Sequence, residues 1–179
     1  TASPCILWID ELEKAFAGVG AGGLNSGAPT RIFGTFLTWM QEHQSPVFVI
    51  ATANDVAAIP IEMMSRFDRV FFLDLPNDNE RREIFSIHLK NAGIAFPERQ
   101  FNLNELVEKS KGMVGREIER VVREAQFTAF AENNREIEQA DLLAALAETV
   151  PISKSHQEAI EILRLWKTEG RAFPASSEE

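Results

Sequence analysis

The segment Ile6-Leu7-Trp8-Ile9-Asp10-Glu11 is the most informative part of this 179-residue chain, because an unbroken apolar run leads directly into two adjacent carboxylates. A continuous apolar run is typical of a strand in a parallel sheet that is covered on both faces. In open α/β sheets, ligands bind at the carboxyl ends of the strands, which is where Asp10 and Glu11 fall. The segment therefore predicts an α/β domain with a polar site at one edge of its sheet.

Two other apolar runs continue this pattern. We predict a helix over residues 31–42, whose apolar side chains recur at helical spacing, and three buried strands, at residues 5–9, 47–53 and 70–75. Strand, helix, strand is the order of a parallel α/β unit. Residues 1–76 are therefore predicted to form part of an α/β domain.

The character of the chain changes near Pro76. Residues 1–76 carry 12 charged side chains, whereas residues 77–179 carry 33. Helical spacing of apolar residues predicts an all-α domain over residues 77–150, with helices at residues 79–90, 103–111, 114–131 and 140–149. Residues 151–179 are predicted to add one more helix, at 153–169, and a disordered tail from Gly170 that is rich in small and acidic residues.

The charge and the apolar content of the chain indicate which kinds of partner it can bind. The formal net charge of -9 argues against binding driven by attraction to nucleic acid or to an anionic membrane. No apolar run approaches the ~20 residues that a membrane helix needs, and Thr1-Ala2-Ser3-Pro4 does not form a basic-then-apolar export signal. These features predict a cytoplasmic protein without a membrane segment.

The two adjacent carboxylates suit the hydrolysis of a nucleotide. That reaction needs one carboxylate to hold Mg²⁺, usually through water, and a second acid to orient or deprotonate the attacking water. Asp10 and Glu11 could divide these tasks. The alternative is structural: Asp10 caps the helix that follows, with Glu13 in its first turn.

Two later segments add polar groups to the same picture. Asn54 follows the second predicted strand, where its amide could hydrogen-bond a γ-phosphate or the attacking water. Arg66 and Arg69 lead into the third predicted strand, and the planar fork of donors in arginine suits phosphate. The alternatives are an ordinary Asn54-Asp55 turn and a surface ion pair between an arginine and Asp68.

In order and spacing, these features resemble the AAA family of ATPases within the larger AAA+ group. Asp10-Glu11 resembles the second Walker motif, Asn54 the first sensor, and Arg66 and Arg69 the arginine fingers. The resemblance implies a partial parallel sheet of the P-loop type followed by an all-α helical lid, with ATP and Mg²⁺ as cofactors. It also implies a ring, usually a hexamer, in which the fingers reach the nucleotide of the neighbouring subunit.

Two further segments are similar to this family. Residues 112–118 resemble the start of the third lid helix, where many AAA+ members carry a second sensor arginine, so Arg116 is a candidate nucleotide contact; an exposed arginine at a helix start is the alternative. The glycine-rich segment Gly18 to Pro29 contains no Gly-Lys-Ser/Thr and resembles a loop that faces the central pore of related rings. A simple linker is the alternative there.

The chain also departs from the family pattern. It contains no Gly-x-x-x-x-Gly-Lys-Ser/Thr loop, which predicts that this sequence is a fragment whose phosphate-binding loop lies upstream. The finger segment is shorter than the common Arg-Pro-Gly-Arg-Phe-Asp-Arg form, so either Arg66 or Arg69 could be the principal finger. Residues 33–39 and the final helix are similar to a plastid and cyanobacterial AAA family of unassigned substrate.

Two functions follow as hypotheses. In the first, the full-length parent couples Mg-ATP hydrolysis to the remodelling of a protein partner, and the fragment alone is inactive because it lacks the phosphate-binding loop. In the second, the chain is a non-catalytic regulatory or scaffolding module built on a degenerate half-site. The charge balance favours a protein over a nucleic acid as the substrate in the first case.

Overall fold

The structure is a computed structural model that describes residues 3–15 and 27–176. The chain divides into two compact units, Thr1–Val70 and Phe71–Glu179. Most of the glycine-rich segment that we compared with a pore loop, residues 18–26, lies outside the described residues. No helix within the described ranges is both long enough and apolar enough to cross a membrane.

The first unit is built on two parallel strands, β1 (Cys5–Ile9) and β2 (Val47–Ala51), whose register places Ile9 opposite Ala51. Parallel strands need a crossover connection, and here the crossover contains a long helix. The described helices of this unit are α1 (Leu12–Ala15), α2 (Gly27–Glu42), a 3₁₀ helix (Val56–Ala58) and α3 (Ile61–Met64). The predicted parallel pairing of the first two strands is thus present, although β2 ends two residues earlier than predicted.

One face of this strand pair is covered and the other is open among the described residues. The small core consists of Leu12, Phe33, Ile59 and Met63, with Ile9 and Ala51 packed partly against it. On the opposite face, the large side chains of Ile6, Trp8 and Phe48 are exposed. Our expectation that these strands are buried on both faces is therefore wrong for the described chain: successive side chains alternate between faces, and the described helices cover one of them.

The third predicted strand does not join this sheet. Within residues 70–75, only β3 (Phe71–Phe72) is a strand, and it pairs in parallel with β4 (Phe173–Pro174) in the second unit. The ring centroids of Phe71 and Phe173 lie 6.2 Å apart. The predictions of a buried third strand and of a disordered tail from Gly170 were both wrong for the described residues, because an aromatic residue far along the chain supplies β3 with its partner.

The second unit is otherwise helical, as predicted. Its helices are α4 (Asp78–Asn91), α5 (Pro97–Gln100), α6 (Leu103–Lys109), α7 (Gly115–Ala131), α8 (Gln139–Glu148), α9 (Ile152–Ser155) and α10 (Gln157–Thr168). The helix predicted at 153–169 is therefore two helices, since His156 leaves helical geometry with φ −130° and ψ 34°. Asn77 caps α4, because its side chain and that of Glu80 form a reciprocal capping box.

Helix α7 lies at the centre of this unit. Its buried stripe contains Ile118, Val121, Val122 and Ala125, which recur at helical spacing. Helices α4, α6 and α8 contribute to the same cluster, including the fully buried residues Phe85, Leu89, Leu106 and Leu142. A contiguous core of this kind contributes most of the stability of a helical domain, because the isolated helices are too short to persist in water.

Candidate functional site

The carboxyl ends of β1 and β2 are joined by backbone hydrogen bonds that continue past the strands. Thr52 N–H donates to the carbonyl of Ile9 at 2.9 Å, and Leu12 N–H donates to the carbonyl of Thr52 at 2.8 Å. Asp10 and Glu11 lie between these two bonds along the chain. The backbone therefore holds the two acidic residues beside Thr52, at the edge where the sequence predicts a site.

The hydroxyl of Thr52 contacts both acidic residues. Oγ1 donates a hydrogen bond to Asp10 Oδ1 at 2.5 Å and accepts one from Glu11 N–H at 3.1 Å. The side chain of Asp10 is exposed, and within the described chain its second oxygen, Oδ2, accepts no hydrogen bond. One oxygen of Asp10 is thus held by the protein while the other is accessible to a ligand.

Glu11 has a backbone conformation that is uncommon for this residue type. Its φ is 52°, in the left-handed region, which costs roughly 1–2 kcal/mol for a residue with a side chain. Its carboxylate is partly exposed, and Oε1 lies 2.6 Å from Lys14 Nζ. This hydrogen bond raises the pKa of Lys14, so the ammonium group remains charged beside Glu11.

Asn54 is placed by a buried carboxylate. Glu13 is only 8% exposed, and its Oε1 accepts a hydrogen bond from Asn54 N–H at 3.2 Å. Its other oxygen, Oε2, is buried and has no hydrogen-bond partner among the described residues. The side chain of Asn54 is exposed, whereas the neighbouring Asp55 accepts from Ala57 N–H at 3.0 Å and caps the 3₁₀ helix. Asp55 therefore takes part in an ordinary turn, as the alternative predicted, whereas the side-chain amide of Asn54 remains accessible.

The two finger candidates lie in a turn that follows α3. Arg66 and Arg69 are exposed, and Phe67 between them packs partly against the core of the first unit. Arg66 N–H donates to the carbonyl of Met63 at 3.0 Å, which ties the turn to the end of α3. The apolar anchor at Phe67 thus fixes a short turn that carries two cations at its surface.

The last site candidate, Arg116, belongs to the second unit. It is the second residue of α7 and is exposed. Beside it, Glu117 Oε2 accepts a hydrogen bond from Val114 N–H at 2.9 Å and caps the helix start. Thr52 therefore links Asp10 and Glu11, and Glu13 holds the backbone of Asn54, whereas Arg66 and Arg69 follow α3 and Arg116 lies at the start of α7.

Sequence reasoning missed two residues of this arrangement. Thr52 bridges Asp10 and Glu11, and Glu13 holds the backbone of Asn54. A hydroxyl directly after β2 was visible in the sequence, but its partners depend on the strand register. The sequence indicates Glu13 only as an acid in the first turn of a helix, because its burial depends on the residues that pack around it.

The exposed carboxylate of Asp10 suits a hard divalent cation. Mg²⁺ prefers oxygen ligands and commonly takes one or two carboxylates, with water and substrate phosphates completing its shell. Within the described parts of the chain, no group of three or more His, Cys, Asp or Glu side chains forms a protein-only metal cage. An exposed carboxylate with one oxygen outside the hydrogen bonds of the described chain is chemically suited to an ion of this kind.

Comparison with known proteins identifies both parts of the chain. The family described as "ATPase family associated with various cellular activities (AAA)" matches residues 1–75, and the AAA+ lid domain matches residues 100–144. Solved structures of the FIGL-1 AAA domain, alone and with ADP, each superpose with a TM-score of 0.71 at 15% and 16% sequence identity, and cover 92% and 96% of this chain. The present chain covers 56% and 58% of those two chains. This likeness confirms the predicted fold class, a partial α/β core followed by a helical lid.

Curated relatives extend the comparison to sequence. The chain is 44% identical to the "Uncharacterized AAA domain-containing protein ycf46" of Pyropia yezoensis over 97% of its own length and 35% of that protein. It is 30% identical over 80% of its length to the ATP-dependent zinc metalloprotease FtsH of Helicobacter pylori strain J99, of which it covers 23%. The chain thus spans about a third, or less, of the length of these relatives. The matched domains and these relatives together show that the chain belongs to the AAA family of ATPases.

Proposed function

We propose that the protein containing this chain hydrolyses ATP with Mg²⁺ and uses the reaction to remodel a protein partner. The observation that supports this most strongly is the meeting of Asp10 and Glu11 at Thr52, on the carboxyl edge of a parallel strand pair. Ligands of α/β proteins bind at this edge. In this proposal residues 1–76 belong to the nucleotide-binding domain, residues 77–150 form its lid, and residues 151–179 are an addition to the lid.

The two carboxylates have different roles in the proposal. Mg²⁺, when bound, would neutralise charge that develops on the phosphates of the nucleotide. Asp10 would hold it through Oδ2, directly or through water, because Oδ1 is engaged by Thr52. Glu11 would orient the attacking water or take its proton, for which its carboxylate must leave Lys14. The Glu11 carboxylate can leave Lys14 at little cost in free energy, because an exposed ion pair is weak.

The remaining residues would act on the phosphates. Asn54 has an accessible amide, which would hydrogen-bond the γ-phosphate or the attacking water. Arg66 or Arg69 would stabilise transition-state charge on the nucleotide of a neighbouring subunit in a ring, which we expect to be a hexamer. Arg116, at the start of α7, would contact the nucleotide from the lid as a second sensor.

A protein is the favoured substrate class. The chain has a net charge of -9, which opposes binding to a polyanion. The relatives include an ATP-dependent metalloprotease and, at 31% identity, a putative 26S proteasome regulatory subunit homologue of Methanocaldococcus jannaschii. Because the 179 residues contain no Gly-Lys-Ser/Thr loop, we expect them to bind and hydrolyse ATP poorly without further chain.

The proposal is tested by Glu11→Gln in a full-length protein that contains this chain. The substitution keeps the shape of the side chain and removes the charge that polarises water, so we expect ATP binding to persist and turnover to fall by roughly 10²-fold or more. Glu62→Gln, at an exposed position of α3 in the same unit, is the matched control and should retain activity. Near-normal turnover in Glu11→Gln would contradict the proposal. Absence of ATP binding by the unmodified full-length protein would favour a non-catalytic regulatory or scaffolding module.

A further inference from the structure

We propose that Thr52 is a positioning residue that sets the arrangement of both acidic side chains, an inference that rests on the proposed function. A hydroxyl carries one hydrogen and two acceptor lone pairs, so it can donate and accept at the same time. Thr52 Oγ1 uses both capacities here, towards Asp10 Oδ1 at 2.5 Å and from Glu11 N–H at 3.1 Å. A single atom thereby links the proposed metal ligand to the residue proposed to orient water.

The first of these bonds selects which oxygen of Asp10 meets a cation. A charge-assisted hydrogen bond from a hydroxyl is short and strong. It restrains the rotation of the Asp10 carboxylate by holding Oδ1, so Oδ2 remains accessible in a defined place. Without the hydroxyl, the carboxylate can rotate and either oxygen can face solvent. A ligand that must be reordered at each turnover binds its metal less well.

The second bond holds Glu11 in its left-handed conformation. The φ of 52° is unfavourable for a glutamate, so it persists only where the surroundings impose it. The Glu11 N–H has Thr52 Oγ1 as its hydrogen-bond acceptor. Loss of this acceptor would leave a strained residue with an unpaired N–H, and relaxation of φ would displace the Glu11 carboxylate.

The position of the hydroxyl itself does not depend on either acidic side chain. Thr52 N–H bonds to the carbonyl of Ile9 at 2.9 Å, and its carbonyl accepts from Leu12 N–H at 2.8 Å. These two bonds use main-chain atoms only, so neither requires a particular side chain at position 52. Thr52→Val therefore removes the hydroxyl and little else, whereas Thr52→Ser keeps the hydroxyl and removes a methyl group.

The experiment compares these two variants in the full-length protein. We expect Thr52→Val to lower kcat by roughly 10- to 100-fold, because small displacements of reacting groups have effects of this size. The Mg²⁺ concentration that gives half-maximal rate should rise, while the KM for ATP should change much less. Thr52→Ser should restore most of kcat. A residue with a structural role alone would not produce this split or this rescue.

A second measurement does not depend on turnover. In the 179-residue chain, hydrogen exchange of the Glu11 amide should be at least several-fold faster in Thr52→Val than in the unmodified chain and should return towards normal in Thr52→Ser. Thr128→Val is the control, since the exposed Thr128 hydroxyl bonds the carbonyl of Glu124 within α7 at 3.2 Å. It should leave both the Glu11 amide and kcat unchanged.

The outcomes separate this inference from the proposed function. If Glu11→Gln abolishes turnover but Thr52→Val has normal kcat and normal Mg²⁺ dependence, the role of Thr52 is overturned and the proposed function stands. If the full-length protein hydrolyses no ATP, the proposed function fails. In that case unchanged Glu11 exchange in Thr52→Val overturns the positioning inference, and faster exchange supports it.

Discussion

The two units of the chain use polar contacts for different purposes. In the helical unit, the buried Arg81 donates to the carbonyls of Pro76 and Val107, at 2.6 and 3.3 Å, and so joins segments of the same fold. In the α/β unit, Glu13 and Thr52 instead hold the backbone or side chains of residues that are partly or fully exposed. Polar contacts in the first case stabilise a core, and in the second they position groups at a surface.

The apolar cores of the two units also differ, in their size and in how completely they are buried. The helical unit has one contiguous cluster drawn from four main helices, with Phe85, Leu106 and Ile118 fully buried. The described core of the α/β unit is small, and Trp8 remains 63% exposed on the open face of its strands. We therefore expect substitutions in the helical unit to change stability, and those at the strand ends to change chemistry. Four predictions test this contrast.

The largest effect is expected from the same truncation made in each core. Leu106→Ala in the helical unit should lower the free energy of unfolding by about 4 kcal/mol, because the side chain is fully buried in a contiguous apolar core. Leu12→Ala in the α/β unit should cost about 2–3 kcal/mol, since its smaller core can collapse around the gap. Urea unfolding followed by hydrogen exchange would report each unit separately. Equal losses of unfolding free energy in the two units would contradict the expected difference between them.

A smaller effect is expected from the ion pair that ties α8 to the preceding loop. Arg135 binds the buried Asp141 with both terminal nitrogens, at 2.6 and 2.7 Å, and Asp141 also accepts from Glu138 N–H. Asp141→Asn should destabilise the helical unit by about 2–3 kcal/mol at neutral pH, because hydrogen bonds to a charged group are lost. Glu132→Gln removes the exposed partner of the same arginine and should cost much less.

The same pair predicts a dependence on pH. The hydrogen bond from Arg135 lowers the pKa of Asp141 below its ordinary value of 3.8. A lowered carboxyl pKa contributes stability that is fully present above the unfolded value and is lost as the pH falls through the folded value. Thermal unfolding between about pH 5 and pH 2 should therefore be less steeply dependent on pH in Asp141→Asn than in the unmodified chain. Parallel profiles would show that Asp141 is not the group that titrates.

The smallest effect is expected where the end of the chain returns to β3. Arg164 binds Asp74 through Nε and Nη2, which lie 3.0 and 2.8 Å from Oδ1. Burial alone would raise the pKa of Asp74, but the hydrogen bonds from Arg164 help to lower it below its ordinary value. Arg164→Ala should cost only about 0.5–1 kcal/mol, because the pair is partly exposed. Hydrogen exchange of the Ala175 amide, which donates to Phe72, should quicken. Lys154→Ala, at an exposed position of α9, should leave it unchanged.

Local sequence was sufficient for much of the architecture. The bounds of β1 agree with the prediction, and the buried face of α7 follows from helical spacing, because both depend on the order of apolar residues within one element. The meeting of Asp10 with the polar end of β2 was also predictable, since parallel strands end at the same edge. The open face of the strands was not predicted, because it depends on which elements pack against them, and the break at His156 was not predicted either.

The amino-acid order alone determined which kind of element most segments form. It also determined that two carboxylates, an amide and a pair of arginines lie at the ends of such elements. Tertiary structure decided which atoms meet. The bridge from Thr52 to Asp10 and Glu11 requires the register of two strands, and the pairing of Phe71 with Phe173 joins residues that are distant in sequence. Spacing within a helix or strand is set by the local backbone, but a contact across such a distance exists only after the chain has folded.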